Sequence, residues 1–296
     1  MSQPNSIASD VVGLSTSSAI SRRHFMTSTA AATAGYTLAA GPVRAQAITT
    51  DTAGLIAEDQ KVKVADGDMP LYVARPAEAK SPPVILVAME IFGLHQYIKD
   101  VTRRLAKLGA MAVAPDYYFR KGDLAKISEM SQLLPLVNAK PDAELIADLD
   151  ATVAWAKAQG GDTGRLGIIG YCRGGRTVWI YCANSPNVKA GVAFYGPLTD
   201  PPAQKAIWPR SATESAAQMQ APVLGLYGQA DQGIPVAQVE AMRSALGAAG
   251  KTADFKIYPE APHGFHADYR ASYRKDAAED AWQRMTAWFK QYNVLS

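Results

Sequence analysis

The chain has 296 residues, 48% of them hydrophobic and 19% charged, with a formal net charge of +3, a composition that excludes a disordered or fibrous protein. The first 47 residues contain three arginines and one acidic residue, so the remaining 249 carry a net charge of about +1. A charge this small excludes nucleic acids and anionic membrane surfaces as expected partners.

The N-terminal part has the pattern of an export signal. Arg22 and Arg23 precede a weakly apolar run, and an Ala-Gln-Ala sequence ending at Ala47 provides a cleavage site. Paired arginines in this setting indicate a twin-arginine signal that the export machinery recognises and a peptidase removes. The apolar run is too short to anchor the protein stably in a bilayer. We therefore expect residues 1–47 to be a cleaved leader and residues 48–296 to form one domain that is periplasmic or secreted.

Apolar runs and amphipathic patterns alternate along the rest of the chain. A hairpin is predicted around Gly67, followed by a fully covered strand at 83–89 and a helix at 98–108. The same alternation predicts strands at 111–114, 166–169, 188–195, 222–227 and 255–258, and helices at 145–156, 177–183, 235–246 and 282–292. This order indicates a mostly parallel sheet with ligand sites beyond the carboxyl ends of its strands.

The strand at 166–169 runs directly into a Gly-x-Cys-x-Gly sequence centred on Cys172, and a helix follows. Strand, tight turn and helix form the setting of a nucleophile elbow, in which the central side chain is raised above the sheet. The positive end of the helix favours the reactive thiolate. Cys182 lies about 15 Å further along the same helix, so both cysteines are expected to be free thiols. Their spacing does not suit a zinc site, and no metal is expected.

Three motifs resemble the dienelactone hydrolase family of α/β-hydrolases: Met-Glu-Ile-Phe-Gly at 89–93, Gly-Tyr-Cys-Arg-Gly-Gly at 170–175 and Pro-His-Gly-Phe at 262–265. The resemblance covers most of the chain after the leader. It implies an α/β-hydrolase fold, with a mostly parallel twisted sheet of about eight strands flanked by helices. It also implies hydrolysis of a carboxylic ester or lactone. The irregular segments at 117–141 and 200–220 are expected at the pocket rim and are too short for a large lid.

The resemblance implies a Cys-His-Asp triad of Cys172, His263 and Asp231. Asp231 follows the strand at 222–227, where the acid of an α/β-hydrolase is needed, although a turn aspartate or helix cap is the alternative. His263 stands in a Pro-His-Gly loop at the same end of the sheet. His266 is the alternative base, and we expect it at the surface or pocket rim.

Glu90 ends the strand at 83–89, and its family counterpart contacts the resting thiol and helps to ionise it. The alternative is a solvated glutamate at the end of a strand. Partial burial would raise the pKa of Glu90, which suits the transfer of a proton from the thiol near neutral pH. The backbone N–H groups of Ile91 and Arg173 are the expected oxyanion donors.

The expected mechanism passes through a thioester acyl-enzyme and requires no metal or organic cofactor. The substrate is expected to be a small ester or lactone. Family members bind substrate carboxylate with an arginine four positions after the histidine, where this chain has Ala267. Arg173, Arg270 and Lys121 could serve instead, and each is expected to be a solvated surface charge. The alternatives are a thioesterase or acyltransferase, and a non-catalytic binding protein with the same fold.

Overall fold

The computed structural model describes residues 48–296. The predicted leader at 1–47 and its cleavage therefore lie outside the described residues. Among the described residues, no helix is both long and apolar enough to cross a membrane.

Eight strands form one sheet in the described part of the chain. They are Leu55–Val64 (β1), Gly67–Pro76 (β2), Pro83–Ala88 (β3), Met111–Pro115 (β4), Asp162–Tyr171 (β5), Val188–Phe194 (β6), Val223–Gly228 (β7) and Ala253–Tyr258 (β8). Their order across the sheet is β1-β2-β4-β3-β5-β6-β7-β8. The pairs β1–β2 and β2–β4 are antiparallel, and the remaining pairs are parallel. The predicted sheet of about eight mostly parallel strands is thus confirmed.

Six α-helices flank the sheet within residues 48–296. They are Gln96–Lys107 (α1), Met130–Asn138 (α2), Asp142–Ala158 (α3), Arg173–Asn184 (α4), Val236–Ala248 (α5) and Lys275–Gln291 (α6). The short helix α2 falls in a segment predicted to be irregular. Pro135 lies inside it and lacks the N–H of a helical hydrogen bond, which hides the helix from a sequence pattern. Burial of Leu133 and Val137 stabilises it against the rest of the protein.

The centre of the sheet is apolar because it is covered on both faces. Every residue of β3 is buried, and β5 is buried from Leu166 onward. These two strands are parallel neighbours, with Ala88 opposite Gly170 at their carboxyl ends. The chain therefore leaves both strands at the same edge of the sheet, which brings the Glu90 loop next to the Cys172 turn.

Candidate active site

Cys172 occupies a strained turn between β5 and α4. Its backbone angles are φ 53° and ψ −117°, a region that non-glycine residues rarely adopt. The turn leaves no room for a β-carbon at the glycine on either side of Cys172. A Cβ atom on Gly174 would lie 2.0 Å from the carbonyl oxygen of Ala88, and one on Gly170 would lie 2.1 Å from that of Gly174. The predicted elbow geometry is present, and its glycines are required by backbone contact.

Both cysteines are free thiols, as the sequence predicted. Cys172 is the N-cap residue of α4, and only 2% of its surface is exposed. Cys182 lies in the hydrophobic core, where burial raises the pKa of its thiol. The two sulfurs thus have different surroundings: one stands at the positive end of a helix dipole, and the other is held as an inert neutral thiol.

Asp231 and His263 form a hydrogen-bonded pair beyond the ends of β7 and β8. Asp231 Oδ2 lies 2.7 Å from His263 Nδ1, and the Asp231 side chain has no exposed surface. The other oxygen, Oδ1, accepts hydrogen bonds from the backbone N–H groups of Gly233 (2.8 Å) and Ile234 (3.1 Å). The carboxylate is therefore fixed by the turn that carries it and orients the imidazole through Nδ1.

His263 also interacts with Cys172. Burial opposes a charge on the imidazole, but the charges of Asp231 and Cys172 and hydrogen bonds to both raise the pKa of His263 well above its usual value. The ring of Tyr195 packs against the imidazole edge-on, with 5.1 Å between ring centroids. The structure thus brings the three residues of the predicted triad into one connected group.

Glu90 differs from the sequence-based prediction. It is 1% exposed, and its Oε2 accepts a hydrogen bond from the Tyr269 hydroxyl at 2.7 Å. The same oxygen lies 3.3 Å from His95 Nε2 and 3.7 Å from Arg270 Nη2. Burial favours the neutral acid, but Arg270, His95 and Tyr269 together lower the pKa of Glu90 to about 2. The predicted rise in pKa is therefore wrong: burial is complete, and neighbouring donors outweigh it.

Arg173 and Arg270 are also placed differently from the prediction, because neither is a solvated surface charge. Arg173 is 8% exposed; its guanidinium stacks on Trp208 at 3.7 Å from the ring centroid and interacts with the Tyr118 hydroxyl. None of the ion pairs among the described residues includes Arg173. Arg270 is 7% exposed and lies against Phe92, with 4.5 Å between the guanidinium carbon and the ring centroid.

The predicted oxyanion donors lie on adjacent segments. Arg173 is the first residue of α4, and Ile91 stands in the loop that packs against the start of that helix through the contact between Ala88 and Gly174. Within residues 48–296, neither backbone N–H donates to a protein acceptor. Two N–H groups of this kind, next to a nucleophile, are the arrangement that stabilises a developing oxyanion.

His266 is a core residue and not a surface or rim residue as predicted. It is 3% exposed, its Nδ1 lies 2.6 Å from the Tyr97 hydroxyl, and its ring stacks on Trp282. Burial, and then the nearby Arg104, lower the pKa of His266 to about 3. Its neutral imidazole is held by the contacts with Tyr97 and Trp282. His263 is therefore the histidine that the structure joins to Cys172.

Sequence reasoning did not find Tyr269 or the contact of His95 with Glu90. Tyr269 and Arg270 stand in the same loop as His263, six and seven positions after it. Charged and polar loop residues are usually exposed, so nothing in the sequence pattern indicated that Tyr269 and Arg270 are buried.

The described residues contain no candidate metal site, and a surface cavity among them does not include the Cys172 group. No group of three or more histidine, cysteine or acidic side chains within residues 48–296 is arranged to hold a metal ion. A surface cavity of about 470 Å³ lies beside Asp66, Arg120 and Asp148, none of which belongs to the Cys172 group.

Comparison with known proteins gives consistent matches. A model of the dienelactone hydrolase family matches residues 69–293. A protein of Methylorubrum extorquens named "Putative carboxymethylenebutenolidase" is 51% identical over 288 residues, covering 96% of this chain and 98% of that protein. An Escherichia coli protein of the same name is 44% identical over 260 residues, covering 87% and 95%. A crystal structure of a "Putative Dienelactone Hydrolase" from Klebsiella pneumoniae has 47% identity and a TM-score of 0.78, covering 80% of this chain and 99% of that chain.

Proposed function

Since this chain belongs to the dienelactone hydrolase family, we propose that it hydrolyses a carboxylic ester or lactone with Cys172, His263 and Asp231. The structural match also confirms the predicted α/β-hydrolase fold. The observation that carries the proposal is the connected group in which Asp231 orients His263 and His263 interacts with Cys172. A free thiol in an elbow turn, joined to an imidazole and a carboxylate, has the parts needed for nucleophilic acyl transfer.

The reaction begins with proton transfer from the Cys172 thiol to His263. Because the pKa of His263 is raised, the imidazole retains this proton while the thiolate attacks the ester carbonyl carbon. The carbonyl oxygen becomes negatively charged and accepts hydrogen bonds from the N–H groups of Ile91 and Arg173. The C–O bond to the alcohol then breaks, and His263 gives its proton to the leaving oxygen, which leaves a thioester on Cys172.

Hydrolysis of the thioester regenerates the enzyme. His263 removes a proton from water, the resulting hydroxide adds to the thioester carbonyl, and the C–S bond breaks to release the carboxylic acid and the Cys172 thiolate. His263 then returns its proton to the sulfur. Asp231 holds the imidazole in the required tautomer in both halves of the reaction. Glu90 takes no proton in this scheme, because a carboxylate whose pKa is about 2 is a poor base at neutral pH.

The test is hydrolysis of a panel of aryl esters, aliphatic esters and lactones by the protein beginning at residue 48. We expect Cys172→Ala to lose turnover by at least about a thousandfold while it keeps the folded circular dichroism spectrum. Cys182→Ala, which removes the other buried thiol, is the matched control and should remain active. Undiminished turnover by Cys172→Ala would exclude the thioester mechanism.

Trapping of an acyl-enzyme distinguishes a hydrolase from the two alternatives that the sequence left open, an acyltransferase and a binding protein. A substrate that acylates rapidly should leave an adduct on Cys172 with the mass of the acyl group, detected by mass spectrometry. Transfer of that group to added amines or alcohols in preference to water would make the protein an acyltransferase. Absence of any adduct or turnover across the panel, with a folded protein, would support a binding function.

A further inference from the structure

The two residues that flank Ile91 are both held by the loop after β8. On one side of Ile91, Glu90 Oε2 accepts a hydrogen bond from the Tyr269 hydroxyl at 2.7 Å. On the other side, the centroid of the Phe92 ring lies 4.5 Å from the guanidinium carbon of Arg270. Two adjacent residues of one loop therefore hold both neighbours of Ile91 in another.

The two holding residues are also joined to each other. Arg270 Nε donates to the Tyr269 hydroxyl at 2.9 Å, and the two residues are only 7% and 6% exposed. His95 adds a contact from the Ile91 side, since its Nε2 lies 3.3 Å from Glu90 Oε2 and its ring packs edge-on against Tyr269. A polar cluster that is connected and shielded from water in this way holds its members in fixed positions.

The backbone before Ile91 is held from other directions. The Tyr117 hydroxyl donates to the carbonyl oxygen of Met89 at 2.9 Å, and a Cβ on Gly174 in α4 would lie 2.7 Å from the same oxygen. The Ile91 side chain is buried. Its N–H, in contrast, donates to no protein acceptor within residues 48–296. The surroundings of this N–H are therefore fixed, while the N–H itself is available to a ligand.

The direction of the Ile91 N–H determines how well it can serve as an oxyanion donor. A hydrogen bond weakens steeply as the donor turns away from the acceptor, and an oxyanion donor contributes most when it is in place before the charge develops. Because Ile91 lies in a loop, no ladder of backbone hydrogen bonds sets the direction of its peptide plane. The contacts on Glu90 and Phe92 supply that restraint.

We propose that Tyr269 and Arg270 are positioning residues that hold the Ile91 N–H where it stabilises the oxyanion. The loop that carries the candidate base His263 therefore also fixes one donor of the oxyanion hole. The inference rests on the proposed function for the role of Ile91, but binding of a ketone that forms a tetrahedral adduct measures that role without turnover.

The experiment compares three ligands with the same phenylpropanoyl group. The nitrophenyl ester measures turnover. The trifluoromethyl ketone adds to Cys172: the sulfur bonds to the carbonyl carbon, the thiol proton passes to His263, and the carbonyl oxygen becomes an alkoxide like that of the reaction. The methyl ketone has nearly the same shape but a much less reactive carbonyl, so it measures binding of the ground state.

We expect Tyr269→Phe to lower kcat for the ester about tenfold with little change in KM, and to weaken binding of the trifluoromethyl ketone about tenfold. Binding of the methyl ketone should not change. Tyr181→Phe is the matched control, because it removes another buried tyrosine hydroxyl that donates to a carboxylate, that of Asp150, at 2.8 Å. Equal weakening of the two ketones by Tyr269→Phe, or no effect on either, would overturn the proposal.

The second contact is tested by Phe92→Leu, which keeps an apolar side chain but removes the aromatic face next to Arg270. It should also weaken the trifluoromethyl ketone selectively. Phe119→Leu is the control, since the Phe119 ring lies at the same 4.5 Å from the guanidinium carbon of Arg120, outside the Cys172 group. Should the tyrosine variant fail to fold, unchanged binding of the trifluoromethyl ketone by Phe92→Leu would overturn the proposal.

Replacement of the peptide bond before Ile91 by an ester, through incorporation of the corresponding hydroxy acid, removes the N–H itself. We expect kcat to fall about a hundredfold, as for the loss of one oxyanion donor. In this background Tyr269→Phe should cause no further fall, because the group that it positions is gone. A further tenfold fall would show that Tyr269 acts elsewhere and would overturn the proposal.

The ketones separate this inference from the proposed function. If the wild-type protein hydrolyses no ester but binds the trifluoromethyl ketone through Cys172, the proposed hydrolysis fails and the ketone result alone decides the positioning role. If hydrolysis depends on Cys172 but the tyrosine variant binds the trifluoromethyl ketone as the wild type does, the positioning role fails alone. A wild-type protein that does neither would overturn both.

Discussion

Glu90 shows how a buried carboxylate keeps its charge. Transfer of a lone carboxylate into an apolar interior is strongly unfavourable, so a glutamate at the end of a covered strand needs partners. Tyr269, His95 and Arg270 supply them around a single oxygen. Their combined effect exceeds the desolvation cost and lowers the pKa of Glu90 to about 2. The carboxylate is therefore an acceptor and counter-ion at neutral pH.

The lowered pKa of Glu90 predicts a specific pH dependence of stability. A carboxylate whose pKa is lower in the folded state than in the unfolded state stabilises the fold above the unfolded value of about 4.5. This contribution is lost as the pH falls toward the folded value of about 2. We expect Glu90→Gln to lower the free energy of unfolding at pH 7 by on the order of 3 kcal/mol, with the difference disappearing between pH 4.5 and pH 2.

Urea denaturation at several pH values measures this difference. Glu58→Gln, at an exposed position in β1, is the control and should match the wild type throughout. A destabilisation by Glu90→Gln that is the same at pH 7 and pH 2 would show that packing, and not charge, is what the substitution removes.

The buried position of Arg173 predicts a preference for substrates that carry a carboxylate. It is buried beside Cys172 against Trp208 and Tyr118, and no described carboxylate pairs with it. A buried cation of this kind gains from an anionic ligand. We expect Arg173→Met to raise KM about tenfold, or 1.4 kcal/mol, for esters that carry a carboxylate, and to leave KM for neutral aryl esters nearly unchanged. The exposed Arg210→Met is the control. Equal effects on charged and neutral esters would contradict this role.

At the scale of elements, the site depends on how closely α4 approaches β3 and β5. The helix begins immediately after a residue with positive φ, and its first turn touches the backbone of Ala88. This approach places the N-terminus of α4, with its unpaired N–H groups, at the end of the sheet. A small increase in the distance between helix and strand would move Arg173 N–H away from the loop that carries Ile91.

One glycine in α4 and one in α5 test this packing directly. A Cβ on Gly174 would meet backbone at 2.0 Å, whereas a Cβ on Gly247 would meet nothing within 4 Å. We expect Gly174→Ala to destabilise the protein by more than about 3 kcal/mol or to prevent folding. Gly247→Ala, in an exposed helical position, should be neutral or stabilising by up to about 1 kcal/mol. Thermal melting measures both, and similar melting temperatures would contradict the close approach.

At the scale of the molecule, the parallel sheet collects residues from distant parts of the chain. The loops after β3, β5, β7 and β8 carry Glu90, Cys172, Asp231 and His263, and all leave the sheet at its carboxyl edge. Parallel strands end at the same edge, which is why ligand sites form there. The closing segment 259–274 contributes most, since it adds Tyr269 and Arg270 to the base.

At the same scale, we propose that residues 1–47 direct twin-arginine export of the protein and that cleavage follows Ala47. Arg22→Lys together with Arg23→Lys should leave the precursor in the cytoplasm, because the receptor reads the paired arginines. Arg44→Lys, outside the pair, is the control. Cell fractionation measures export, and mass spectrometry of the exported protein should give a chain beginning at Ile48. Normal export of the double variant would refute the twin-arginine assignment.

The sequence by itself determined the order of strands and helices, the elbow and the candidate residues Cys172, Asp231 and His263. These features are local: apolar runs, glycines around one cysteine, and a histidine held between proline and glycine. The sequence did not predict the helix around Pro135. A proline disrupts the helical pattern there, and the helix is stabilised by packing against the rest of the protein.

Only the tertiary structure decided the environment of each charge. The burial of Arg173 and Arg270, the pKa of Glu90 and the place of His266 in the core depend on residues far away in the sequence. Arg270, His95 and Tyr269 together lower the pKa of Glu90, and two of these partners lie about 180 positions away from it in the sequence. Desolvation and Coulomb energy depend on distances in space, and a linear pattern does not contain those distances.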